Sequence, residues 1–193
     1  MSERRERAVL SPASAAAWES WLAEHHATSS GVWLKVVKKN STRRGPSYEE
    51  ALDAALCFGW IDGRKDTFDD DHWLQRFTPR TPRSRWSRNN VARAVRLTEE
   101  GRMRSPGLTQ IASAKADGRW DAAYASQGAA SVPDDLRRAL EQDGTARAFF
   151  ESLDGRNRYS ILYRIQDAKK PETRARRIES YVTMLREGRK IHE

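Results

Sequence analysis

The alternating, strand-like pattern of this chain ends at Pro79–Pro82, and that boundary limits the folds open to it. From Trp60 to Phe68 the alternation puts Trp60, Asp62, Arg64 and Asp66 on one face of an extended segment, and from His72 to Thr78 it groups Trp73, Gln75 and Phe77. Beyond the two prolines, apolar residues return at helical spacing to the end of the sequence. A local extended region between helical patterns predicts an α+β protein: a small antiparallel sheet of about three strands with flanking helices in the N-terminal half, then a helical C-terminal module. The expected division falls at residues 1–104 and 105–193, with the C-terminal module at about 130–190.

Local signals place the elements. Ser11-Pro12 reads as a helix start, with Ala16, Trp18, Trp21 and Leu22 as the apolar stripe. Gly31 to Val37 reads as a buried strand. Ser47-Tyr-Glu-Glu50 matches a capping box for a helix that Gly59 stops. Asp69-Asp70-Asp71 joins two hairpin strands without the glycine of a two-residue turn, which leaves the register open. Ser87 caps a helix carrying Val91, Val95 and Leu97, and Ser105-Pro106 opens one that Gly118 closes. Pro133 and Thr145 open two more. A helix from Arg158 to Ala168 is apolar nearly all round, and the last starts at Pro171 and presents Ile178, Tyr181, Val182 and Leu185. On that spacing Arg174 shares the apolar stripe and faces inward while Arg176 faces away, so Arg174 is expected to find a buried carboxylate or carbonyl partner, with Arg176 solvated.

Composition enters through what it excludes. No apolar stretch approaches the roughly 20 residues of a membrane-spanning helix. The start, MSERRERAVLSP, has no apolar segment of an export signal after its basic residues, so a cytoplasmic location is expected. Cys57 is the single cysteine, lies between Leu56 and Phe58, and reads as a buried small hydrophobe. Gly59 and Gly63 lack the rest of a phosphate loop, the adjacent His25-His26 point apart, and the acidic triplet lacks the spacing of a calcium loop, so no cofactor or metal is expected. No catalytic triad spacing is present.

The net charge of +8 is unevenly spread: residues 76–104 hold nine arginines against two acids, whereas residues 1–75 hold 10 basic and 12 acidic groups. Arginine favours forked contacts to carboxylate or phosphate. In this region Trp60, Phe77 and Trp86 interleave with Arg64, Arg76, Arg80, Arg83 and Arg85, and Asp62, Gln75 and Asn90 lie among them. Guanidinium planes and indole rings together can hold a flat anionic ligand or unpaired bases. The alternative is that the rings are core, with the arginines as their cover or paired with the acidic N-terminal segment.

Cys57-Phe-Gly-Trp-Ile-Asp-Gly63, Gln75-Arg-Phe-Thr-Pro-Arg80 and Trp86-Ser with Asn90 resemble a signature of the YdeI/OmpD-associated, or bacteriocin-protection, proteins. Pro133-Asp-Asp-Leu, Ala148-Phe-Phe and Ala168 to Ile178 resemble that family's C-terminal module. Tyr163-Arg164-Ile165 stands where many relatives carry a Trp-Ile pair. The resemblance implies a role in tolerance of cationic antimicrobial peptides and an association with an outer-membrane porin; it implies no reaction, cofactor or catalytic residue. The expectation is a non-enzymatic binder of an anionic or aromatic partner through the Arg/Trp segment. Two alternatives use the same region: a nucleic-acid-binding protein, and an enzyme with a pocket around Asp62, Gln75 and Arg80.

Overall fold

The structure, a computed structural model, describes residues 9–125 and 130–193; the basic start, residues 1–8, lies outside the described residues. The chain divides into two compact units, one extending to Ala123 and the other running from Tyr124 to Glu193.

The first unit is built on a four-stranded sheet in the order β1-β2-β4-β3. Its strands are β1 (Val9–Leu10), β2 (Val32–Val37), β3 (Trp60–Thr67) and β4 (His72–Pro79). The three longer strands pair antiparallel as expected, but β1 adds to β2 in parallel, so the sheet is mixed. Four helices belong to this unit: α1 (Ala15–His25), α2 (Tyr48–Cys57), α3 (Arg88–Glu99) and α4 (Ser105–Ala116). The cap of α1 is Ser14, whose hydroxyl accepts the Ala17 amide, and not Ser11: the chain is still leaving β1 at Pro12. Ser47 and Glu50 form the full capping box of α2. Gly59 ends that helix at φ 74°, a left-handed conformation open chiefly to glycine.

Register fixes the two faces of the sheet. Val32, Leu34 and Val36 lie opposite Phe77, Gln75 and Trp73, and this row meets Trp18 and Leu22 of α1 and the alanines and leucines of α2 in one core. The Trp18 ring lies 5.6 Å from Phe77 and 6.4 Å from Trp60, while its indole N–H donates to the Ala51 carbonyl at 3.1 Å. Aromatic area of this size, with the indole nitrogen satisfied, is what joins α1 to the sheet. Trp33 and Leu74 are buried on the reverse face, where the Arg64 guanidinium stands 5.9 Å from the Trp33 ring.

α4 belongs to this first unit, although the sequence division placed it at the head of the second part. The reason is Gly107. A Cβ there would lie 2.5 Å from the Cys57 carbonyl oxygen and 2.7 Å from that of Leu56, so only glycine lets α4 approach the end of α2 this closely.

The second unit is helical, with α5 (Asp134–Glu141), α6 (Gly144–Ser152), α7 (Gly155–Gln166) and α8 (Pro171–Arg186). Leu136 and Leu140, Phe150, Ile161 and Ile165, then Ile178, Val182 and Leu185 form its core. α6 is capped by the Asp143 carboxylate, which takes the Ala146 amide, rather than by Thr145. Arg174 finds the expected carboxylate and carbonyl, its guanidinium forking onto Asp135 at 2.5 and 2.9 Å and donating to the Ile165 carbonyl at 3.1 Å, but the pair is half-exposed rather than buried because it sits at the starts of α5 and α8; Arg176 is exposed. Arg174 pulls Asp135 below the usual carboxylate range. Among the described residues, no helix is long and apolar enough to cross a membrane.

Candidate functional site

The β3–β4 hairpin carries a bulge that changes which residues share a face. Asp62 lies opposite Phe77, but the next pair is Lys65 with Gln75, so β3 advances three residues while β4 advances two. Arg64 and Asp66 therefore leave the row that simple alternation gave them; Lys65 and Thr67 take their place on the face of Gln75 and Trp73. The Gln75 amide supports the bulge by donating to the carbonyls of Gly63 at 2.8 Å and Arg76 at 3.1 Å. Only 3% exposed, it acts as an internal brace.

The anticipated site residues accordingly separate. Trp60 and Phe77 are 1% and 0% exposed and belong to the core against Trp18. Asp62 accepts the Tyr48 hydroxyl at 2.9 Å. Arg64 and Arg76 lie away from that core, Arg64 beside Trp33 and Arg76 opposite it in the register. Arg80 is buried with its guanidinium 3.6 Å from the centre of the Trp86 ring, and it donates to the Arg85 carbonyl at 3.1 Å. Trp86 is 2% exposed and meets Trp120 edge-on at 4.9 Å. Asn90 is buried in the first turn of α3, its amide bound to the Ser87 hydroxyl. The pocket anticipated around Asp62, Gln75 and Arg80 is thus replaced by three side chains bound to other parts of the protein.

What reaches solvent is the loop between β4 and α3. Its backbone is held internally: the Thr81 amide donates to the Ser84 hydroxyl at 2.9 Å, the Ser84 amide to the Thr81 carbonyl at 2.9 Å, and Arg119 to the Ser84 carbonyl at 2.9 Å. The Arg80–Trp86 stack braces its ends. Arg83 and Arg88 are exposed and Arg85 is half-buried. From His72 to Thr98 the sequence has no acidic residue. The loop is a fixed scaffold that displays guanidinium groups without a carboxylate of its own.

The arginines further along pair with carboxylates of the acidic N-terminal segment, partners that the sequence did not single out by residue. Asp53 of α2, its side chain 11% exposed, accepts Arg93 at 2.8 Å and Arg96 at 2.5 Å. Arg93 also pairs with Glu49, Arg96 with Glu100, and Arg104 with Glu19 at 3.3 Å. The Asp53 hydrogen bond raises the Arg96 pKa, while burial lowers that of Arg93. The signal in the sequence was the helical spacing of Glu49 and Asp53, and of Arg93 and Arg96, but nothing local pairs one helix with the other. Part of the charge excess of residues 76–104 is therefore neutralised, while Arg83 in the loop and Arg88 at the start of α3 remain exposed.

A mixed sheet packed on helices, with an arginine-bearing loop, and a separate helical unit define a protein of two modules. Residues 10–110 match the model of a domain of unknown function (DUF8412), and the chain belongs to that family. Residues 129–188 match bacteriocin-protection, YdeI or OmpD-associated proteins. That second match lies in the C-terminal part, so the N-terminal motifs from Cys57 to Asn90 fall under the first family and outside the second. No curated protein and no solved structure matches the chain.

Proposed function

We propose that this is a non-enzymatic stress-tolerance protein with a bacteriocin-protection-like role, which binds an acidic partner through the exposed arginines of the loop between β4 and α3 and of the first turn of α3. The C-terminal match supports the role. The observation that carries the binding is the contrast within one run of arginines: Arg93, Arg96 and Arg104 are paired with carboxylates, whereas Arg83 in the braced loop and Arg88 at the start of α3 are exposed with no ion pair among the described residues. A backbone held in advance loses little freedom on binding, so only the arginine side chains themselves have to be ordered for a forked contact.

Nucleic acid is the second reading for this surface, and the burial of the rings weighs against it. Trp60, Phe77 and Trp86 lie inside, so none of them can stack on an unpaired base without repacking the core. The test compares a poly-glutamate peptide with a labelled single-stranded oligonucleotide of equal charge, across a salt series. The proposal expects both to weaken as salt rises and the oligonucleotide to gain no advantage at equal charge. An oligonucleotide that binds far more tightly favours the nucleic-acid reading. Absence of binding by either at low salt rejects the surface as a binding site.

A further inference from the structure

The face of α3 turned away from the core carries a second pattern. Asn90, Ala94 and Leu97 are the buried residues of this helix. At about 100° per residue, Arg88, Ala92, Val95 and Glu99 fall within about 60° of one another on the opposite side. All four are exposed, Val95 by 45%. Their spacing of four, three and four residues is that of the seam along which two helices pack side by side. Apolar residues hold the middle of this seam, and opposite charges hold its ends.

Those two charges stand where the helix itself disfavours them. A helix N-terminus is partially positive and its C-terminus partially negative, so an anion suits the first turn and a cation the last. Arg88 is instead the first residue of α3 and Glu99 the last. Among the described residues neither joins the ion pairs beside them, which link Arg96 to Asp53 and Glu100, and Arg93 to Glu49 and Asp53. Exchanging the two charges would suit an isolated helix better, so their placement points to a partner outside the chain.

We propose that α3 pairs antiparallel with α3 of a second copy of this chain, about a twofold axis. Arg88 and Glu99 lie equally far from the point midway between Ala92 and Val95. One register therefore sets Ala92 on Val95 of the second copy and Arg88 on its Glu99, and the twofold axis repeats each contact. The small Ala92 side chain lets the two axes close on Val95. Parallel pairing would oppose Arg88 to Arg88 and Glu99 to Glu99, and that repulsion selects the antiparallel arrangement. The dimer does not depend on an acidic partner, although both make use of Arg88. A contact one 12-residue helix long belongs to the weak class of interfaces, so association is expected near about 0.1 mM protein and absent near about 1 µM, where Arg88 stays open to an acidic partner.

The test is sedimentation equilibrium of the full chain without peptide, from about 1 µM to about 0.5 mM, across which a monomer–dimer equilibrium is expected. Arg88→Glu and Glu99→Arg each bring like charges together at both ends of the seam, and each is expected to weaken the dimer about tenfold or more. Both changes place a charge where the helix dipole favours it, so neither lowers the melting temperature. The double variant carrying both changes recovers wild-type association, as does an equimolar mixture of the two single variants. Glu99→Arg leaves poly-glutamate binding at about 1 µM protein no weaker than in the wild type, so the dimer and the arginine surface fail separately. A monomer throughout the range, single variants that associate like the wild type, or a double variant no better than the singles overturns the proposal.

Discussion

Replacing Arg174 by alanine removes the one forked ion pair joining α8 to α5, and the structure sets the size of the loss. Three hydrogen bonds disappear, two to Asp135 and one to the Ile165 carbonyl. A hydrogen bond to a charged group contributes about 1.5–3 kcal/mol net. The side chains of Arg174 and Asp135 are 28% and 35% exposed, so water re-solvates the freed carboxylate and discounts the total. The expected loss is about 2 kcal/mol, which at a urea m value of about 2 kcal/mol/M moves the unfolding midpoint of the second unit by about 1 M. Arg176→Ala, at an exposed position on the same helix, leaves the midpoint where it was. The difference must also depend on pH. Asp135 is held below its ordinary value chiefly by the Arg174 hydrogen bond, so the stabilisation is fully present above the unfolded value of about 3.9 and is lost as pH falls through the lowered folded value. The gap between wild type and Arg174→Ala is therefore constant near neutrality and closes in acid. Equal midpoints for the two alanine variants, or a gap that widens in acid, refutes the reasoning.

Three further outcomes follow from the packing. Gly107→Ala forces a Cβ against the Cys57 and Leu56 carbonyls and is expected to cost about 2–3 kcal/mol, whereas Gly144→Ala meets nothing within 4 Å and is neutral or stabilising; urea melts of the two compare them directly. Asp53→Ala removes the carboxylate shared by Arg93 and Arg96 at the α2–α3 contact but leaves each its glutamate, so it lowers stability by about 1.5–2 kcal/mol, measured the same way, with Glu100→Ala much milder. Burial pushes the Cys57 thiol up to about 11, so at pH 8 a disulfide reagent labels it only as fast as the first unit opens, and rapid labelling of the native protein contradicts the packing described for α2 and α4.

The features readable from the sequence were those whose cause is local. Ser47 and Glu50 satisfy each other within one turn, Gly59 and Gly118 adopt positive φ where helices end, and the alternation through Trp73, Gln75 and Phe77 survives intact because β4 has no irregularity. The alternation in β3 failed after Asp62 because a bulge is stabilised across the hairpin, by the Gln75 amide, and leaves no mark in β3 itself beyond Gly63. β1 is only two residues long and pairs with a strand more than twenty positions away, so its parallel register had no local signature. The candidate site shows the same division. That arginines crowd residues 76–104 is plain in the sequence; which of them find a carboxylate is decided by how α3 packs on α2. Likewise the interleaving of rings and arginines is visible, but the inward turn of Trp60 and Trp86 is a consequence of the core.

The measurement that bears most directly on the proposed function compares two matched double variants in binding to the poly-glutamate peptide. Arg83→Gln with Arg88→Gln removes two charges from the braced loop and the helix start it leads into, and Arg137→Gln with Arg138→Gln removes two from α5, where Arg137 is already paired with Asp134. A delocalised field from a basic protein responds to both alike. A defined contact surface does not, and loss of one charge-assisted contact of about 1.5–3 kcal/mol corresponds to roughly ten- to a hundredfold in affinity. The account predicts that the loop variant loses at least this much at unchanged stability while the α5 variant binds nearly as the wild type does. Equal weakening of the two, or a loop variant that unfolds with its affinity intact, contradicts it.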